Sequence, residues 1–423
     1  MKRLVLKEIN VIRLLLCALL FAPCLSAEAT ITSIFQEPVR GKITKLDVQG
    51  RLEIEVKGSE VPERVPLDEV EEVSFGFKGD ERKPDEAPLR VYLVNGDILH
   101  GAPEDGPAED EDVFVLKGTR FGSLAINIQA IKRIEIVRNV QPNVLPELDA
   151  KADHDVAYFA ADGNRPAQTD PSSELVRVVK DGVWLYNEII DEDNVAGNKF
   201  PWARMRGVVC YRGVYKPYDK LMAIATLRDG SVLSGVVKSW GEAKLTIEHT
   251  VLKKQIVLDE NALISVTMKN GRYIYLSDME FSGQPDERPY YLPSDFKYDD
   301  YLFKVRKDQA QGGGPLSIRG KVYAKGLGVH AISRLSFDLN RGYKRFLADI
   351  GLDDSAGELG SVEFKIYADG KLVYESGVLR RSTGVKAIDL DVLNVSKIVL
   401  EVTAADNADI QDRANWANAK LVR

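Results

Sequence analysis

Long helical patterns are almost absent from this sequence, while short apolar and β-branched runs punctuated by Gly, Asp and Asn recur from end to end. Such patterning restricts the chain to an all-β fold. An all-β chain must close or cover its sheet edges, so the next question is whether the strands form repeated small units. They do at the level of pattern. Asn95-Gly96-Asp97-Ile98-Leu99-His100-Gly101 reads onto Asp229-Gly230-Ser231-Val232-Leu233-Ser234-Gly235, and each follows an alternating run, Leu89 to Val94 and Leu221 to Leu227. The Asn-Gly and Asp-Gly pairs are hairpin turns that need positive φ.

Each copy ends with apolar residues at i, i+3 and i+5: Ile131, Ile134 and Ile136 in one, Leu263, Val266 and Met268 in the other. The same ending occurs at Val70, Val73 and Phe75, and at Met205, Val208 and Cys210, which makes four copies. A short turn followed by a strand accounts for the three-residue and two-residue steps. The first copy opens weakly at Gly41-Lys42-Ile43 and another at Asp181-Gly182-Val183-Trp184-Leu185. Units of roughly 40 to 60 residues in this pattern can curl into a small barrel or add strands to a neighbour, and they resemble Sm-like barrels in hydrophobic pattern alone. The expected organisation is residues 1–27 as a leader, 28–139 and 174–273 as two small β repeats each, 140–173 as a polar, proline-containing linker, and 274–423 as a separate domain. Lys78 to Pro88 and Pro103 to Asp112 are shorter linkers.

Lys2, Arg3, Lys7 and Arg13 precede the apolar run Leu14 to Ala22, and Leu25-Ser26-Ala27 supplies a small-residue cleavage pattern. Nine apolar residues fall short of the roughly 20 a membrane-crossing helix needs, so the segment reads as a signal peptide and no transmembrane segment is expected after its removal. The protein is expected to be exported, to the periplasm, the cell surface or the medium. Cleavage leaves Cys210 as the only cysteine, so packed cores rather than disulfides must hold the chain. The net charge of −7 becomes −10 without the four basic and one acidic side chains of residues 1–27, a balance that repels phosphate backbones and argues against nucleic acid as a partner.

The most specific signal lies in the last third. Gly326-Leu327-Gly328-Val329-His330-Ala331 is followed by Phe346 to Asp354, by Gly360 to Ile366, by the turn Asp369-Gly370-Lys371, and by Asp412-Arg413-Ala414-Asn415-Trp416-Ala417. In order and spacing this resembles the NPCBM family, the carbohydrate-binding module type of family 98 glycoside hydrolases, over about 150 residues. The resemblance implies a galactose-binding-like jelly-roll β-sandwich with its ligand loops at one end. The alternation of Val362, Phe364 and Ile366, and of Ile398, Leu400 and Val402, agrees with half-buried sandwich strands.

A sugar site needs an apolar platform for C–H faces and polar groups that fix hydroxyl geometry. His330, Asp412, Arg413, Asn415 and Trp416 are suitable types, and the resemblance brings their loops together. Many family members read Asp-His-Ala-Asp-Trp-Ala where this chain has Asp412 to Ala417, so Arg413 adds a bidentate donor and Asn415 removes a carboxylate. Asp353 and Asp354 supply hard oxygens of the kind a structural calcium prefers. No His-Glu-x-x-His motif, phosphate loop or nucleophile elbow is present, and the acid runs Asp191-Glu192-Asp193 and Asp299-Asp300 read as solvated turns. The expected function is therefore non-catalytic attachment to a polysaccharide or glycoprotein glycan, with the repeats as scaffold and envelope proteins as further partners. The alternative is a structural envelope component that binds no sugar.

Overall fold

The computed structural model describes residues 27–35, 37–76, 87–107, 110–138, 145–146, 153–161, 166–187, 196–289, 291, 303–406 and 408–423. Residues 1–26 of the leader, both acid runs 191–193 and 299–300, and most of the 78–88 linker lie outside the described residues. The chain divides into two compact units, Met1–Gly271 and Arg272–Arg423.

In the N-terminal unit each repeat is built in the same way. Four strands follow one another antiparallel, and after a short turn a fifth strand returns to pair with the first. In the first repeat these are Glu28–Ser33, Val39–Leu46, Arg51–Glu55, Glu63–Pro66 and Val70–Ser74. The other repeats follow the same order over residues 89–136, 155–209 and 222–269. Two sequence expectations change here. Strand Asp155–Phe159 and the start of strand Gln168–Val179 fall inside the segment read as a linker, so the third repeat begins about 20 residues early. Its Asp181-Gly182 turn is the second hairpin, not the opening one.

The i, i+3, i+5 ending also has a different cause from the expected turn. Each fifth strand skips one residue in its pairing with the first: Glu71, Lys132, Arg206 and Ile264. A bulge of this kind adds one residue to the alternation and turns a two-residue step into a three-residue step. Hence Val70 and Val73, or Leu263 and Val266, both point into the core, each fully buried.

The repeats join through their strands. The fifth strands of the first and fourth repeats pair antiparallel around Val73 and Val266, and those of the second and third around Ile134 and Val208. The second and fourth repeats meet at Ile98 and Val232, the same position of the repeated motif, so their contacts come in related pairs. Asp97 accepts from the Ser234 main chain at 2.8 Å, and Ser231 Oγ accepts from the His100 main chain at 3.0 Å. Asn95 donates to Thr250 Oγ1 at 3.3 Å, and Thr119 donates to Asp229 at 3.3 Å. His249, fully buried, adds an Nε2–Asp97 contact of 2.8 Å. Its Nδ1 accepts from the Val251 and Leu252 main chain, which fixes the proton on Nε2. The motif read as a hairpin signature is thus also the clasp between two repeats. One apolar cluster runs through all four.

The C-terminal unit is a two-sheet antiparallel sandwich. One sheet runs Arg306–Lys307, Gly326–His330, Arg413–Val422, Arg345–Leu352 and Lys386–Asp391, with Tyr273–Tyr275 also on Arg413–Val422. The other runs Asp286–Glu287, Ser333–Asp338, Lys397–Ala404, Ser361–Ala368 and Lys371–Arg380. Val362, Phe364 and Ile366 from one sheet face Phe346, Ile350 and Trp416 from the other in a single core. The expected alternation is present in both strands named from the sequence.

Candidate functional site

Strand Arg413–Val422 lies between Gly326–His330 and Arg345–Leu352, so its start meets the loops at one end of the sandwich. Asp412, Arg413, Asn415 and Trp416 all belong to this stretch, yet they have four different fates. Trp416 is fully buried, its ring 4.8 Å edge-on to Phe364 inside the core. It cannot present a face to a sugar, and its sequence assignment as a platform is corrected to a core role. Asn415 is also fully buried, and its Nδ2 donates to Asp353 at 2.7 Å and to the Ser317 carbonyl at 3.1 Å. It positions loops rather than contacting ligand.

Asp412 is fully buried as well, with Oδ1 accepting from the Ser361 main chain at 2.7 Å. Its other oxygen has no hydrogen-bond partner among the described residues. Burial, with the charges of Asp409 and Asp406 nearby, pushes this carboxyl up to about 7. Asp406 behaves oppositely. Hydrogen bonds from Arg380 and Ser361 hold it well below the usual carboxylate range.

The calcium assignment at Asp353 and Asp354 does not fit their surroundings. Asp353 accepts from Asn415, the Ser317 main chain and the Ser355 main chain, and Asp354 accepts from the Arg319 and Gly320 main chain at 2.8 Å each. A cation there would face the positive ends of those N–H groups, and calcium needs six or more oxygen ligands instead. Among the described residues no group of three or more His, Cys, Asp or Glu side chains is placed to hold a metal.

What remains at the rim is a smaller set. His330 pairs with Arg413 across the strands, and Phe303 packs edge-on to the His330 ring at 4.8 Å. Arg413 donates to the Ser355 carbonyl at 3.1 Å, and its guanidinium covers Gly312, lying 3.5 Å from where a side chain would start. Burial lowers the His330 imidazole below its ordinary value, with Asp409 opposing and Arg413 assisting. Nδ1 lies 2.7 Å from the Ala331 carbonyl and must donate to it, so the neutral ring offers Nε2 as an acceptor. Phe303 and Asp409 were not found from the sequence. Neither sits in a motif, and only the fold brings residues 303, 330, 409 and 413 to one rim.

In the N-terminal unit a cleft of about 620 Å³ is lined by Asn127, Gln129, Tyr215, Lys216, Tyr218, Asp219 and Lys253, among others. Asp219 is its one carboxylate among the described residues. It therefore lacks the paired carboxylates of a glycoside hydrolase. Burial pushes the Cys210 thiol up, and Asp155 adds to the effect, so it is no nucleophile. No helix among the described residues is long and apolar enough to cross a membrane.

Two antiparallel sheets packed face to face, with polar and aromatic side chains gathered at one end, form the architecture of a binding module. Residues 273–422 match the NPCBM/NEW2 domain family. The chain is also similar to two curated proteins. It is 32% identical over 119 residues to an Akkermansia muciniphila protein named alpha-1,3-galactosidase B, covering 27% of this chain and 15% of that one. It is 27% identical over 184 residues to a Renibacterium salmoninarum protein described as a candidate endo-alpha-N-acetylgalactosaminidase, covering 43% and 12%. The chain thus spans a small fraction of the length of the curated relatives it matches.

Among solved structures, it is similar to the CBM51-2 and INT domains of Clostridium perfringens ZmpB, at 27% identity over 43% of this chain and 36% of that chain, with a TM-score of 0.31. It is also similar to a CBM51 from Clostridium perfringens GH95 in complex with methyl-galactose, at 24% identity over 36% of this chain and 99% of that one, with a TM-score of 0.30.

Proposed function

We propose that this is an exported, non-catalytic protein that attaches to a polysaccharide or glycoprotein glycan through the rim of its C-terminal module, with the N-terminal repeats as a rigid scaffold. The observation that carries the reading is the convergence of Phe303, His330, Asp409 and Arg413 at one end of the sandwich. Phe303 supplies an apolar ring for sugar C–H faces, neutral His330 accepts from a hydroxyl, Arg413 donates, and Asp409 accepts. The family of the module and the names of its relatives favour galactose-containing glycans as the first class to try. The leader pattern fits a bacterial envelope or extracellular location, where envelope proteins are further candidate partners.

The test is a glycan array probed with the full chain and with His330→Ala and Arg413→Ala. Saturable binding to a galactoside class, lost or weakened at least about tenfold in both variants, is the expected result. A folded protein that binds no glycan would move the assignment to a structural envelope component. Burial of Asp412, Asn415 and Trp416 is the observation favouring that second reading, because it leaves the rim with few polar groups.

A further inference from the structure

The fifth strand of every repeat is preceded by a short turn, and the first residue of that turn points inward. In the first three repeats it is apolar: Leu67, Ile128 and Trp202. Leu67 and Ile128 are buried, and Trp202 packs against the same core. In the fourth repeat the position is Glu260, which is fully buried. A carboxylate is costly to enclose where a neighbouring copy of the same fold uses a hydrocarbon, unless something specific compensates its charge. Its Oε1 accepts from the indole N–H of buried Trp240 at 2.9 Å. Its Oε2 accepts from the main-chain nitrogen of Ala27 at 3.1 Å, 233 positions away in sequence.

Ala27 is the residue just before the first strand of the first repeat, and it lies against the common core. We infer that the leader is cut between Ser26 and Ala27, and that the α-ammonium so formed pairs with Glu260 and locks the first repeat to the fourth. A leader peptidase would add water across that amide bond. Ser26 leaves with the carboxylate, and the Ala27 nitrogen takes a proton, exchanging one amide N–H for an ammonium with three donors. Cys24 and Ser26 place small residues at the third and first positions before this bond, the pattern such peptidases accept. The cut falls one bond before the one read from the sequence pattern. Cleavage after Ala27 would discard the nitrogen that reaches Glu260.

The inference rests on the export part of the proposal above and is independent of sugar binding. The full chain with its leader, produced in an exporting bacterium, should yield a mature protein whose intact mass and N-terminal sequence begin at Ala27. A start at Glu28 overturns the inference and leaves export intact, whereas an uncut leader overturns both. A second comparison uses chains that begin at Ala27 with a free or an acetylated amine. At pH 7 the free amine should raise the melting temperature by roughly 3–6 °C, and Glu260→Gln should remove the difference. A partner carboxylate raises the amine above its ordinary value near 8, so the advantage is present below about pH 8 and fades as pH rises beyond it. Equal melting of the free and acetylated chains at pH 7 overturns the inference, and that comparison stands even if the Glu260→Gln chain does not fold.

Discussion

The two units of this protein bury polar side chains to different ends. In the N-terminal unit, Asp97, His249, Ser231 and Ser234 are buried between repeats and join one copy to another. In the C-terminal module, Asp353, Asn415, Asp412 and Ser361 are buried beneath loops and join those loops to the sandwich that carries them. In both units the polar motif that stands out in the sequence is mainly a fastening. The difference lies in what each fastening leaves exposed: the module sets Arg413 and His330 at a rim, while the repeat clasp encloses Asp97, His249, Ser231 and Ser234. A polar motif in an all-β chain is therefore a guide to where backbones meet, and only exposure decides whether it also meets a ligand.

The largest expected effects strike the two cores separately. Trp416→Ala should cost the module about 3–5 kcal/mol, the range for removing a buried aromatic ring. Asp97→Ala should cost the N-terminal unit roughly 2–4 kcal/mol, because it strands the Ser234 donors inside the protein and removes the carboxylate beside buried His249. Amide hydrogen exchange read segment by segment checks both. Loss of protection should centre on residues 273–422 in the first variant and on the second and fourth repeats in the second. A Trp416→Ala protein that keeps module protection would contradict the core assignment.

A smaller effect follows from Asp412. Its carboxyl is held up to about 7 by burial, against an ordinary value of 3.8. Between those values the unfolded chain ionises while the folded module keeps its proton. Its contribution to stability is therefore complete below about pH 4 and is lost as pH climbs to about 7. Asp412→Asn should flatten that part of the module's stability profile and leave the variant more stable than the parent at pH 8, by roughly 1–3 kcal/mol. Denaturant titrations of both proteins at pH 4, 6 and 8 give the comparison, and identical profiles would show that Asp412 is ionised in the folded state.

Much of the fold was legible because it rests on local rules. The alternation through Val362, Phe364 and Ile366 declares a half-buried strand, and Asn95-Gly96 and Asp229-Gly230 declare tight turns. The repeated bulge left a trace too, since each i, i+3, i+5 ending marks one skipped residue. Strand Asp155–Phe159 was missed because five residues between polar stretches carry too little pattern, and it exists by pairing with Met205–Val209 some 50 positions later. The site was legible only in part. His330 and Arg413 stood in a recognisable motif, but Trp416 faces Phe364 of the opposite sheet and Asn415 is held by Asp353 and the Ser317 carbonyl, so both are enclosed. Phe303 and Asp409 reach the rim through long-range closure that no local pattern encodes.

Sugar binding is assigned to the rim around His330. It is tested most directly by following the His330 imidazole by nitrogen-detected NMR while a galactoside is titrated into the full chain. The ring should be neutral and protonated at Nδ1 near pH 7, with a saturable shift of the Nε2 resonance that Arg413→Ala abolishes. Saturable binding that leaves the His330 resonances in place and perturbs another surface would contradict it.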